Sequence, residues 1–222
     1  MQRHFDEELE QLKQKLLRMS SLVEQIIGSS IKALIDRDSK LAEQVVALDN
    51  NIDMFEIEVD ELSLKLLALY QPQAGDLRFI TSTMKINNDL ERIGDLAVNI
   101  AQRAMDLNKV PPVKSNMDIV QMANSAQGML KDSLNAFVNK DSKLAADVCK
   151  RDDVVDEFNR QIFRKVLTDK PKNQPEAERA IDLILVAKNL ERIADHSTNI
   201  CEDVIYMVEG KVIKHHIADE PQ

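Results

Sequence analysis

Apolar residues recur every three or four positions along most of the chain, the period of a helix that buries one face. From Phe5 to about Asp36 the stripe is Leu9, Leu12, Leu16, Met19, Val23, Ile26, Ile27, Ile31 and Leu34. A second stripe, Leu41, Val45, Leu48, Ile52, Phe55, Val59, Leu62 and Leu66, predicts a helix to about Leu69. Between them, Asp38 or Ser39 offers a side-chain oxygen to the free N–H groups that begin the second helix. Tyr70 to Asp76, with Pro72 and Gly75, interrupts the pattern before a third helix that reaches about Asn108. The adjacent prolines of Val110-Pro111-Pro112-Val113-Lys114 mark a linker. Ser115 with Asp118 then opens a fourth helix, to about Asn139. Lys170-Pro171-Lys172-Asn173-Gln174-Pro175 ends a fifth helix and starts a sixth, with proline in an early position. Gly210 stops the sixth helix. Lys211 to Gln222 shows no periodicity and predicts a loosely held tail.

The third and sixth helices carry near copies of one motif. Asn88 to Ala101 reads NDLERIGDLAVNIA, and Lys188 to Cys201 reads KNLERIADHSTNIC. The duplication is wider than the motif: DSKLA occurs at Asp38 and again at Asp141, and Asp49, Asp53 and Phe55 reappear at the same spacing as Asp152, Asp156 and Phe158. The predicted fold is therefore all-α, with two tandem three-helix bundles arising from an internal duplication. Residues 1–109 form the first repeat, 110–114 the linker, 115–210 the second repeat and 211–222 the tail.

An apolar stripe explains a bundle, but here the polar face repeats as well. In the first copy Ile86, Leu90, Ile93, Ala97 and Ile100 share the apolar side, and Glu91, Asp95 and Asn99 align one turn apart on another face. In the second, Val186, Leu190, Ile193 and Ile200 oppose Glu191, Asp195, Asn199 and Glu202. The second helix adds Asp49, Asp53, Glu56 and Asp60, and the fifth adds Asp152 and Asp156. Carboxylates one turn apart repel each other, which calls for a cation or for water. The residues alone leave two readings open. One is salt bridging, Arg92 to Asp95 and Arg192 to Asp195. The other is a metal site on the bundle surface, with hard oxygen ligands suited to calcium, magnesium, manganese or iron. A buried di-iron oxidase is disfavoured, because no Glu-x-x-His is present. His196 follows Asp195, but its counterpart is Leu96, so it stands outside the repeated set. His215 and His216 fall in the tail.

Composition narrows the function. The 222 residues are 44% hydrophobic with only 5 Gly and 6 Pro, as long helices require. A net charge of −9 argues against nucleic acid as a partner, since phosphate binding needs a basic face. No apolar run is long enough to span a membrane and the N-terminal stretch lacks a signal-peptide core, so a soluble cytoplasmic protein without membrane insertion is expected. Cys149 and Cys201 have no CxxC spacing and read as free thiols. No P-loop, G-x-S-x-G, G-x-G-x-x-G or H-E-x-x-H is present, and an enzyme is not expected.

Two three-helix repeats, each with an L-E-R-I-(G/A)-D helix, and the run Gln71-Pro72-Gln73-Ala74-Gly75-Asp76-Leu77-Arg78 resemble the PhoU family of phosphate-uptake regulators. The resemblance spans nearly the whole chain. It implies that the E/D-x-x-x-D motifs bind metal, here through Glu91, Asp95, Glu191 and Asp195 with Asp49, Asp53, Asp152 and Asp156 facing them. The ions implied are iron or another divalent such as manganese, zinc or nickel, none of them required for folding. It also implies a homodimeric cytosolic adaptor between the ATPase subunit of a phosphate ABC transporter and a membrane sensor histidine kinase, exerting negative regulation when phosphate is plentiful. Asp76, Arg78, Arg92 and Arg192 are the candidate partner contacts. The second repeat departs from the pattern: Ala194 replaces the glycine, and no Asp-Leu-Arg follows its Gln-Pro. The alternatives are an accessory protein of a low-affinity phosphate permease and a carboxylate-bridged metal-binding protein.

Overall fold

A computed structural model of the chain describes residues 2–110, 117–169 and 171–213. Within them the chain forms α1 (Gln2–Asp36), α2 (Ser39–Tyr70), α3 (Ala74–Asn108), α4 (Met117–Asn139), α5 (Ser142–Cys149), α6 (Asp152–Asp169) and α7 (Gln174–Glu209). No strand occurs among the described residues, and none of the helices is long and apolar enough to cross a membrane. Of the predicted linker only Val110 is described. Pro111 to Lys114, the Ser115 start and the tail beyond Ile213, including His215 and His216, lie outside the described residues.

The helix ends follow local chemistry. Asp38 caps α2 by accepting from the N–H groups of Lys40 and Leu41, and Asp141 caps α5 identically through Lys143 and Leu144. Asn173 accepts from Glu176 N–H at the start of α7, with Pro175 in the first turn. Gly210 ends α7 at φ 72°, a left-handed conformation that costs glycine little. At 2–110, α1, α2 and α3 pack on one another, and α4, α5 and α6 pack around α7. The two repeats meet where α3 lies against α7 and α1 touches α4. Leu12, Leu16, Ile26, Ile52, Leu66, Ile86, Leu90, Ile93, Val186 and Leu190 are wholly buried.

The fifth helix is not continuous. The periodicity predicts one helix, whereas the chain forms α5 and α6 with Lys150 and Arg151 between them. The position that Leu48 fills with an apolar side chain in α2 is Arg151 in the second repeat. A guanidinium cannot stay on the core stripe uncompensated, and it turns to Asp132 of α4 at 2.7 Å. The helix restarts with Asp152 and Asp153 in its first turn, where acidic groups favour the N-terminal dipole.

The Gly/Ala difference between the two motif copies has a packing cause. A Cβ on Gly94 would stand 2.9 Å from Ile52 Cδ1, and Ile52 is fully buried. In the second repeat Val155 takes the place of Ile52, lacks that terminal methyl, and leaves room for Ala194. For Gly94→Ala, a helix-propensity gain of about 1 kcal/mol opposes an overpacking cost on the order of 1–2 kcal/mol. The net change should therefore stay within about 1 kcal/mol of zero, while in an Ile52→Val background the same substitution should be more favourable by about 1 kcal/mol. A urea-unfolding double-mutant cycle measures this coupling, and additive effects would show that the two positions do not compete for space.

Candidate functional site

The acidic residues of α2 and α3 come together along the seam between these helices. Glu91 feels the charges of Asp95, Glu56 and Asp53, and Asp49 feels those of Asp53 and Asp95. Burial is the main cause that raises the Asp49, Glu56 and Glu91 carboxyls above their ordinary range, with neighbouring carboxylates adding to it. Arg92 opposes the effect at Glu56 and Glu91. It lies 3.3 Å from Glu91 and 3.4 Å from Asp95, so the bridge to Asp95 anticipated from spacing does form. The carboxylates are not all on an open surface, as the wheel angle suggested. The Glu91 side chain is 16% exposed, because α2 lies over it, against 44% for Asp95.

The second repeat reproduces the arrangement with Asp152 and Asp156 of α6 and Glu191 and Asp195 of α7. Asp152 is pushed up to about 6, first by burial and then by Asp195, Asp156, Asp153 and Glu191. Asp195 is also raised, by burial of its carboxyl and by Glu191, although the residue as a whole is exposed and Lys188 works against the shift. Here the salt bridge runs from Lys188 to Glu191, and Arg192 is exposed.

Two carboxylate oxygens are left over, one per seam. Glu91 Oε2 and Asp152 Oδ1 are buried without a hydrogen-bond partner, and the nearby Arg92 Nε is not aligned to donate to the former. Such oxygens suit a hard cation in donor chemistry. Among the described residues, however, no three His, Cys, Asp or Glu side chains are gathered as a ready metal-binding group. The seams therefore present paired carboxylates under mutual repulsion rather than a closed coordination shell.

Several other expected residues stand elsewhere. Asn99 is exposed on α3. Asn199 donates its amide to Asp89 Oδ1 at 3.3 Å, across the junction between the repeats, and does not join the α6 acids. Glu202 lines the same junction, in a groove of about 420 Å³ between α3 and α7 with Lys85, Asn88, Asp89, Asn199 and Asp203. Asp76 is exposed in the first turn of α3. Arg78 is half-buried and has an internal partner: its Nε donates to the Met207 carbonyl near the end of α7 at 3.3 Å.

The junction contains polar residues that the repeat pattern passed over. His196 Nδ1 is 2.7 Å from Asp89 Oδ1, which gives this histidine an intramolecular partner. Lys85 pairs with Asp203 at 2.8 Å and lies 5.3 Å from the Tyr206 ring centroid. Asp89 and His196 differ from their counterparts Asn189 and Leu96. Departure from the repeat is the signal in the sequence that these positions serve the contact between repeats.

Comparison with known proteins accords with this geometry. The PhoU domain family model matches residues 16–104 and again 119–204, one match per repeat. A phosphate-specific transport system accessory protein PhoU homolog of Aquifex aeolicus is 40% identical over 214 residues, 96% of this chain and 97% of the relative. The Clostridium acetobutylicum homolog of the same name is 39% identical over 94% of this chain and 96% of its own length. The crystal structure of PhoU from Pseudomonas aeruginosa superposes with a TM-score of 0.90 at 38% identity, covering 93% of this chain and 100% of that one. PhoU from Streptococcus pneumoniae, a phosphate transport system regulatory protein, gives 0.87 at 28% identity, covering 95% and 99%. Matched in both repeats and along nearly its full length, the chain belongs to the PhoU family.

Proposed function

We propose that this chain is a cytoplasmic, non-enzymatic and homodimeric regulator of phosphate uptake. In this reading it docks the ATPase subunit of a phosphate ABC transporter and a membrane sensor histidine kinase, and it holds the starvation response off when phosphate is plentiful. The observation that carries the reading is full-length similarity to phosphate-specific transport system accessory proteins. Exposed apolar side chains offer docking material: Met54, Ile57 and Leu64 on α2, and Phe163, Leu167, Ile181 and Leu185 on α6 and α7. The carboxylate seams supply a second element. A divalent ion such as iron or manganese would be held by Asp49, Asp53, Glu91 and Asp95, or by Asp152, Asp156, Glu191 and Asp195. Bound there, it would supply positive charge where the seam now repels itself.

The test is recovery of partners. With a tagged chain expressed at native level in phosphate-replete cells and cross-linked before lysis, the transporter ATPase and the kinase should both co-purify. They should be depleted when Met54, Ile57 and Leu64 are changed together to Ser. Recovery of neither protein under cross-linking would dismiss the adaptor role.

A further inference from the structure

The two cysteines stand 52 residues apart in the chain, yet the fold brings them side by side between α5 and α7, near enough for each thiol to perturb the other. Cys149 is the last residue of α5, and its Sγ also lies 4.0 Å from the carbonyl of Thr198, one turn before Cys201 on α7. Both are free and buried, with Cys149 8% exposed and Cys201 fully enclosed. Packing does not by itself demand sulfur here. In the first repeat the corresponding positions are Val46 and Ala101, which fill the same space with aliphatic groups.

We propose that Cys149 and Cys201 form a reversible intramolecular disulfide in the folded protein on exposure to a low-molecular-weight disulfide of the glutathione type. The inference is independent of the regulatory role proposed above. Cys149 is the entering sulfur, because it is the one with solvent exposure. Its sulfur, on losing a proton, attacks one sulfur of the small disulfide and expels a thiolate that takes up that proton. The sulfur of Cys201 then attacks the Cys149 sulfur of the mixed disulfide, and a second small thiol leaves with the Cys201 proton. Two protein thiols are oxidised and one small disulfide is reduced to two thiols. Bond formation requires the sulfurs to close from contact to about 2.05 Å with a dihedral near 90°. Lys150 and Arg151 lie between helices, so the end of α5 is not held in place by a continuing helix and can make that approach. The bridge would join α5 to α7 three residues before Asp152.

The experiment incubates the reduced, folded full-length chain with oxidised glutathione and reads intact mass and cysteine peptides without reduction. The expected product is a monomer lighter by about 2 Da with a Cys149–Cys201 linked peptide, a higher melting temperature than the reduced form, and full reversal by dithiothreitol. Cys201→Ser should stop at a stable glutathione adduct on Cys149, and Cys149→Ser should not react while folded. Three results overturn the proposal: a persistent adduct on wild-type Cys149 without bridging, a bridge between two chains, or reaction only in urea. Because the wild-type peptide map decides the question, a variant that fails to fold does not obscure it.

Discussion

Asp152→Asn is expected to stabilise the protein at neutral pH by roughly 1–2 kcal/mol and to lose that advantage in acid. The Asp152 carboxyl is raised from 3.8 to about 6 by burial and by Asp195, Asp156, Asp153 and Glu191. A raised acid favours its protonated form in the folded chain, so ionised Asp152 works against folding above about pH 6. The penalty shrinks as pH falls through the folded value and vanishes below the unfolded value of 3.8. Two pKa units correspond to about 3 kcal/mol. Partial solvent access and the favourable position of Asp152 in the first turn of α6 cut that to the range given. Urea unfolding of wild type and variant from pH 4 to pH 8 measures the effect. The difference should rise with pH and level off above about 7, where Asp152 and the carboxylates around it are ionised. A difference that stays constant with pH would mean that Asp152 is not held in a repulsive cluster. Manganese added at neutral pH should stabilise wild type more than the variant, because the variant has lost one of the carboxylates it would neutralise.

Phe137→Ala should cost about 3–5 kcal/mol, the range for truncating a buried aromatic side chain. Phe137 of α4 is 2% exposed and stacks on Phe79 of α3, with ring centroids 5.8 Å apart and planes at 20°. The two rings come from different repeats, so the loss should reach both. Tyr70 lies at the end of α2 and Tyr206 near the end of α7, and the chain has no tryptophan. Tyrosine fluorescence in single-tyrosine backgrounds therefore reports each repeat separately. In wild type the two probes should give one coincident transition. In Phe137→Ala both midpoints should move to lower denaturant. A shift confined to Tyr206 would show that the repeats unfold independently and that the stack does not couple them.

Much of this molecule follows from local rules that any stretch of the chain obeys on its own. The three-and-four spacing from Leu9 to Leu34 predicts α1, and the carboxylates of Asp38 and Asp141 begin α2 and α5 where such caps are favoured. Gly210 ends α7 for lack of a side chain, and the repeated motif places Glu91 with Asp95 and Glu191 with Asp195 on one face of a helix. The facing acids, Asp49, Asp53, Asp152 and Asp156, were also legible, because they duplicate at a constant offset.

What spacing could not convey is how each helix is rotated against its neighbours. Helical angle puts Asn199 and Glu202 with the acids, whereas Asn199 bonds Asp89 of α3 and Glu202 lines the groove between α3 and α7. Nor does spacing show that the Nε of Arg78, a candidate partner contact, reaches the Met207 carbonyl near the end of α7. The split between α5 and α6 depends on Asp132, which lies on another helix and accepts Arg151. The sequence by itself thus determined all the helices but the divided fifth, most of their ends, the duplication and the family, since each depends on residues within a few turns or on likeness between the copies. Only the tertiary structure decided that Glu91 and Asp152 are partly buried with carboxylate oxygens that accept no hydrogen bond, that Asp89 meets His196 across the repeats, and that Cys149 lies beside Cys201. These contacts join side chains on different helices, and a helix turned by one residue, about 100°, would abolish them while leaving the helix itself intact.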